Sequence, residues 1–259
     1  MSQALLEIQN LSFSYHRKRV LHDVSFSLHR GEVVSIIGPS GSGKSTLLRS
    51  LALLARPTNG AILFQGRTVF SSSHPVRKEQ QREYTNALGI VFQQLYLWPH
   101  MTAIENVILP LVRGLGVGHE LARHTARNLL TQLGLESVMS QYPQKLSVGQ
   151  QQRCAIARTL VMEPTILLLD EITSALDPEL VVSIQALIRE IASEPNRTLL
   201  IVTHEMEFAS RVSDRIGFLD GGELTAIGTP AELSAVTVNS RILSFISGHG
   251  VTNGADSSE

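Results

Sequence analysis

The segment GPSGSGKS (38–45) fixes Gly38, Gly43, Lys44 and Ser45 at the spacing G-x-x-x-x-G-K-[ST]. Glycines let a backbone curl until its N–H groups converge on one point, and a helix starting there adds a favourable potential for an anion. Gly38, Pro39, Ser40, Gly41, Ser42, Gly43, Lys44, Ser45 and Thr46 are therefore read as a cradle for the phosphates of a nucleotide. In that reading Lys44 reaches the β/γ-phosphates, Ser45 ligates Mg2+ and Thr46 donates to the α-phosphate. The motif alone does not separate a kinase, a GTPase and a transport ATPase.

Two further groups narrow the chemistry. ILLLDE (166–171) ends an apolar run in two carboxylates. Asp170 is placed to hold Mg2+ through water, and Glu171, pointing elsewhere, can accept a proton from an attacking water. A strand that stops in solvent is the competing reading. LSVGQQQR (146–153) puts Ser147 and Gly149 at a helix start, where a hydroxyl and an N–H make a second anion site. Read structurally, it is a capped helix.

The elements around these groups follow from their periodicity. LEIQNLSFSY (6–15) and VLHDVSFSL (20–28) alternate as strands of an antiparallel sheet, with GAILFQG (60–66) as a third candidate. VVSIIG (33–38), GIVF (89–92), TILLLD (165–170) and TLLIVT (198–203) are continuously apolar, the pattern of a parallel sheet covered on both faces. Residues 95–163 read as a helical lobe inserted between these strands, with Leu121, Leu129, Leu130 and Leu133 on one stripe. A further helix spans 179–193, and Asp220-Gly221-Gly222 marks a hairpin followed by one or two short helices. The charged, Ser-rich segment 67–86 is expected to be a mobile insertion. The organisation is one α/β domain over 1–248, with a disordered tail at 249–259.

Bulk composition sets outer limits. The 259 residues are 43% hydrophobic and 17% charged, ordinary for a globular chain. With 22 Lys+Arg against 23 Asp+Glu the net charge is −1, so no basic excess points to nucleic acid. A single cysteine, Cys154, excludes an internal disulfide framework and a thiolate zinc site, and reads as a small core residue. The start MSQALLEIQN lacks the pattern of a signal peptide, and LLRSLALLARP is broken by Arg49, Ser50 and Arg56. The expectation is a soluble chain.

Taken in order, these motifs resemble those of the ABC ATPases. LSVGQ stands where that family has LSGGQ, and ILLLDEITSALD follows it closely. Gln93 in VFQQ matches the Q-loop, SALD (174–177) the D-loop and His204 in IVTHE the switch histidine. Tyr15 stands where the family stacks an aromatic ring on adenine, with a core tyrosine as the competing reading. The resemblance covers residues 5–230 and implies a P-loop NTPase core with a mostly parallel sheet, an N-terminal antiparallel subdomain and an inserted helical lobe. It also implies a head-to-tail homodimer with two ATPs between the copies. Lys44, Ser45, Gln93, Asp170, Glu171 and His204 would serve from one copy, with Gln93 also near the metal. Ser147, Gly149 and Gln150 would serve from the other. Val148 and Ile172 depart from the usual glycine and proline, which puts the rate in question.

VFQQLYLWPHMTAIENVILP (91–110) and THEMEFA (203–209) resemble the ATPases of polar amino-acid importers. That subgroup implies two membrane-spanning permease subunits, an indirect link to a substrate-binding protein, no nucleic-acid partner, and a peripheral place on the cytoplasmic face of the inner membrane. Leu95, Tyr96, Leu97 and Trp98 either receive a helix of the membrane subunit or pack inside the lobe. Lipoprotein release, efflux, cell division or a non-transport dimerisation switch are the alternative roles.

Overall fold

The computed structural model describes residues 3–16, 18–174, 176–194 and 197–235. The chain opens with β1 (Ala4–Tyr15) and β2 (Lys18–His29), paired antiparallel. β3 (Val33–Ile37) runs through the glycine loop into α1 (Lys44–Leu51). β4 (Asn59–Phe64) and β5 (Arg67–Ser71) then return to the first sheet, in the order β2-β1-β4-β5. After α2 (Lys78–Ala87) and β6 (Leu88–Val91), three helices follow: α3 (Ala103–Gly114), α4 (His119–Gln132) and α5 (Val148–Leu160). β7 (Ile166–Asp170), α6 (Pro178–Ser193), β8 (Thr198–Thr203), α7 (Met206–Val212), β9 (Arg215–Asp220), β10 (Glu223–Gly228) and α8 (Pro230–Ala235) come next.

The second sheet has the order β10-β9-β3-β8-β7-β6, parallel from β9 to β6, with β10 added antiparallel through the Asp220-Gly221-Gly222 hairpin. β3, β7 and β8, at its centre, are nearly continuous apolar runs because each face is covered. On β7, Leu167 and Leu169 face the helical lobe, while Ile166 and Leu168 face α1 and the antiparallel sheet. On β8 the same split separates Leu199 and Ile201 from Leu200 and Val202. Side chains alternate along a strand, so a doubly covered strand is apolar at nearly every position, with Ser35, Asp170, Thr198 and Thr203 as the buried polar exceptions.

Register fixes what the sheet presents at its C-terminal edge. Ile37 pairs with Thr203, and Asp170 pairs with Val202. The glycine loop after β3, the carboxylates closing β7 and His204 after β8 therefore emerge side by side. Such an edge is where open α/β sheets bind ligands.

The lobe lies between β6 and β7, as expected. On α3, Ile104, Val107, Ile108 and Leu111 make the buried stripe, and Thr102 and Glu105 close its start as a capping box. On α4 the stripe differs from the one read in sequence. Ala122, Ala126 and Leu130 are buried, continued by Leu133, whereas Leu121 is 62% exposed. Small alanines let α4 approach its neighbours closely, and Leu121 falls one residue out of phase, about 100° around the helix.

Segment 67–86 also corrects its expectation. Instead of a mobile insertion it supplies strand β5 and most of helix α2. Tyr84 anchors the helix, fully buried, with its hydroxyl donating to the Leu51 carbonyl at 2.7 Å and its ring 5.4 Å from that of Phe64. One large side chain thus docks a helix whose other residues, apart from Ala87 at its end, are polar. The expectations for 236–259 lie outside the described residues.

Candidate functional site

Gly43 precedes α1 at φ 105°, a left-handed conformation natural to glycine, and a Cβ there would come within 2.9 Å of Leu21 Cδ2. The loop is tightened by the Ser42 N–H donating to the Pro39 carbonyl at 3.2 Å. Lys44 is 4% exposed, and its Nζ donates to the carbonyls of Gly38 at 2.9 Å and Pro39 at 3.1 Å. Ser40 and Gly41 stand exposed at the tip, and Ser45 and Thr46 are half-buried in the first turn of α1. Ser42 Oγ is buried without a hydrogen-bond partner within the chain, a cost unless an outside group satisfies it.

The carboxylates meet this loop. Ser45 Oγ donates to Asp170 Oδ1 at 2.8 Å. Glu171 Oε1 lies 3.5 Å from Lys44 Nζ, and Glu171 Oε2 lies 3.6 Å from His204 Nδ1. Burial pushes the Lys44 ammonium below its usual range, against the pull of Glu171. Burial likewise raises Asp170, with the Ser45 hydrogen bond opposing and the Glu171 charge adding. Both directions describe charged groups short of solvation. Glu171 has φ 45°, uncommon for a side chain of its size and a strain of about 1–3 kcal/mol. Its N–H donates to the Val202 carbonyl at 2.9 Å, which ties that conformation to β8.

A cavity of about 160 Å³ opens here, between Gly41, Gly43, Lys44, Ser45, Thr46 and Glu171, with Val20 as a further wall. A buried cation and the N-terminus of α1 line the cavity, and Ser42, with its buried uncommitted hydroxyl, belongs to the same loop; together these suit phosphate. Ser45 and Asp170 are hard oxygen donors side by side. Among the described residues no group of three or more His, Cys, Asp or Glu could hold a metal. That donor set fits Mg2+, which commonly takes one or two carboxylates and fills its shell from phosphate and water.

Gln93 Nε2 donates to Ser174 Oγ at 3.1 Å. Tyr15 is the last residue of β1, 47% exposed, with its ring edge-on to Phe13 at 4.6 Å. Exposure at that level removes the core reading.

The second anion site lies apart from the first. Ser147 caps α5, and Ser147 and Gln150 form a reciprocal capping box: Ser147 N–H donates to Gln150 Oε1 at 2.9 Å, and Gln150 N–H to Ser147 Oγ at 3.3 Å. The cap leaves the Ser147 hydroxyl proton uncommitted, and Gly149, second in the helix, has an N–H without an intrahelical partner. These residues border a separate cavity of about 220 Å³ that shares no residue with the phosphate cavity. Val148, 49% exposed, begins α5 with ordinary helical backbone, and Ile172 is buried in the lobe core.

Sequence reasoning missed three residues here. Val20 lines the phosphate cavity from β2, with no local signal in its strand. Leu180 packs on Gly149, visible only once α5 and α6 meet. Ser174, though quoted within SALD, had no expected bond, yet its Oγ donates to the Glu171 carbonyl at 2.9 Å.

The apolar segment after Gln93 divides. Leu95 and Leu97 pack partly buried against the lobe, while Tyr96 is 59% and Trp98 48% exposed. Next to them a groove of about 380 Å³ runs along α3 past His100, Met101, Ile108 and Val112. No helix among the described residues is long and apolar enough to cross a membrane.

Four similarities to known proteins bear on this site. A family profile described as "ABC transporter" matches residues 21–174. The L-cystine transport system ATP-binding protein TcyN of Escherichia coli (strain K12) is 45% identical over 242 residues, 93% of this chain and 96% of that protein. The glutamine transport ATP-binding protein GlnQ of the same strain is 42% identical, over 93% and 98% of the two chains. Among solved structures, the dimeric post-hydrolysis state of the ATP-binding cassette MJ0796, bound to ADP and Pi, superposes with a TM-score of 0.76 at 34% identity. That match covers 87% of this chain and 98% of that one.

Proposed function

The chain belongs to the ABC transporter family as its ATP-hydrolysing component, and from that premise we propose that it powers import of polar amino acids through two permease subunits. The observation that carries the ATPase chemistry is the convergence of Lys44, Ser45, Asp170, Glu171 and His204 at one sheet edge. The cargo class rests on relatives named for cystine and glutamine transport. No comparable observation favours lipoprotein release, efflux, cell division or a regulatory switch.

In this reading Tyr15 stacks on the adenine of ATP, the N–H groups of residues 40–46 surround the phosphates, and Lys44 faces the β- and γ-oxygens. Ser45 and Asp170 would hold Mg2+, with Gln93 joining them after leaving Ser174. The ion supplies neutralisation of the charge that builds on the transferred phosphoryl oxygens. Glu171 accepts the proton of the attacking water, and His204, beside its other oxygen, holds that carboxylate in line.

One copy offers only half of these donors. Ser147, Gly149 and Gln150 border a cavity separate from the phosphate cavity, so in this account a second copy presents them to the γ-phosphate. Closure then depends on ATP because the phosphate is the shared ligand, and hydrolysis removes that link. Tyr96, Trp98 and the groove along α3 would receive a helix of the permease on the cytoplasmic face of the inner membrane. A substrate-binding protein would act through that permease.

The test is co-purification with permease subunits of a polar amino-acid importer, followed by ATPase assay with the partner binding protein and a polar amino acid. Stimulation by the loaded binding protein supports the reading. A complex that responds to no polar amino acid contradicts the cargo class.

A further inference from the structure

Ser174 Oγ makes two hydrogen bonds, accepting from Gln93 Nε2 at 3.1 Å and donating to the Glu171 carbonyl at 2.9 Å. The Ser174 N–H also donates to that carbonyl, at 3.3 Å. Glu171 is the residue with φ 45°, held from its other side by its N–H on Val202. A left-handed residue of this size persists only where its surroundings over-determine it. The carbonyl of Glu171 is fixed by Ser174 alone among the hydrogen bonds described.

We propose that Ser174 is a positioning residue for hydrolysis: its hydroxyl links Gln93 to the backbone of Glu171 and holds the Glu171 carboxylate between Lys44 and His204. This rests on the proposed role of Glu171 as base. The geometry has a directional consequence. Gln93 lies three residues before exposed Tyr96 and five before exposed Trp98, so a displacement of that surface segment pulls on Gln93. Gln93 is bound to the same oxygen that holds Glu171, so its departure changes what Ser174 accepts and frees that lone pair. Ser174 is thus the point at which movement of the surface segment reaches the reacting carboxylate. Nucleotide binding needs none of this, because Ser174 borders neither the phosphate cavity nor the capping box of α5.

The experiment compares Ser174→Ala, Ser174→Thr and Gln93→Ala with the double variant Ser174→Ala/Gln93→Ala, in the purified full chain. Fluorescent ATP-analogue affinity and steady-state hydrolysis are both read. We expect Ser174→Ala to lower kcat by about tenfold with affinity changed less than about twofold, a loss confined to the chemical step. Ser174→Thr, which keeps the hydroxyl, restores most of the rate. Gln93→Ala and Ser174→Ala together cost less than the product of their separate effects, because they share one link, while the metal role proposed for Gln93 keeps a part of its own. An unchanged kcat in Ser174→Ala overturns the proposal, as do a Ser174→Thr as slow as the alanine variant and fully multiplicative effects. Failure of the wild-type chain to bind the analogue contradicts the ATPase reading instead, so the two failures are distinct.

Discussion

A Cβ on Gly149 would lie 2.8 Å from Leu180 Cδ2, so a side chain there must displace the end of the Leu180 side chain where α5 meets α6. The glycine of the second anion site thus lets Leu180 lie over the start of α5. Arg153 reinforces the contact, donating to Ser183 on α6 and to the Leu133 carbonyl. Gly149→Ala is expected to cost no more than about 1 kcal/mol of stability, because the clash falls on the end of a flexible side chain and alanine favours the helix. Leu180→Ala in the same chain should recover part of it. Urea unfolding of the two single variants and the double variant checks this; strictly additive losses would contradict the contact.

Val148 next to it calls for the opposite expectation. It starts α5 with helical backbone and its side chain is exposed, so no left-handed conformation demands glycine there. Val148→Gly should leave ATPase activity within about twofold of wild type, well under the ~1.4 kcal/mol of barrier that a tenfold change represents. A tenfold faster variant would show that valine restrains the reaction.

Asp170 links the site to stability. Burial holds its folded-state pKa above the ordinary carboxylate value, so the folded chain binds that proton more tightly than the unfolded one. Stability then falls as pH rises through the interval between the two pKa values, and the ionised carboxylate is a net cost at neutral pH. Asp170→Asn should therefore raise the Tm of the nucleotide-free chain at pH 7, with the gain shrinking as pH falls toward the ordinary carboxylate range. The same variant should lose the extra stabilisation by ATP with Mg2+. Thermal melts across pH test both statements, and a lower Tm at pH 7 would contradict them.

Tyr84 carries the stability of α2. Removing its hydroxyl leaves the buried Leu51 carbonyl without that donor, and Tyr84→Phe is expected to cost about 1–3 kcal/mol. Denaturant unfolding measures the loss; an unchanged midpoint would mean that the ring alone holds the helix.

Tyr84 also shows where the sequence stops being readable. Strands covered on both faces were legible because nearly every position is apolar, and the phosphate loop and its carboxylates because each residue type has a chemical reason at its spacing. Segment 67–86 was not, since a helix docked by one tyrosine has no hydrophobic period to detect. The stripe on α4 slipped by a residue because alanines at 122 and 126 carry less signal than Leu121. The site was legible as a set of residues, but not as a set of bonds: the Gln93–Ser174–Glu171 chain spans 81 positions between its first two members. Only the parallel register brings those positions together.

The central claim is that one copy holds half of each site and that ATP joins two copies. Glu171→Gln keeps an amide where the carboxylate lies between Lys44 and His204 but removes the base. Light scattering of this variant with and without ATP and Mg2+ measures the claim directly. The account predicts a mass of 28.3 kDa without nucleotide and twice that with it, in a species that hydrolyses no ATP. A variant that turns over at the wild-type rate, or binds ATP while staying at the mass of one chain, would contradict it.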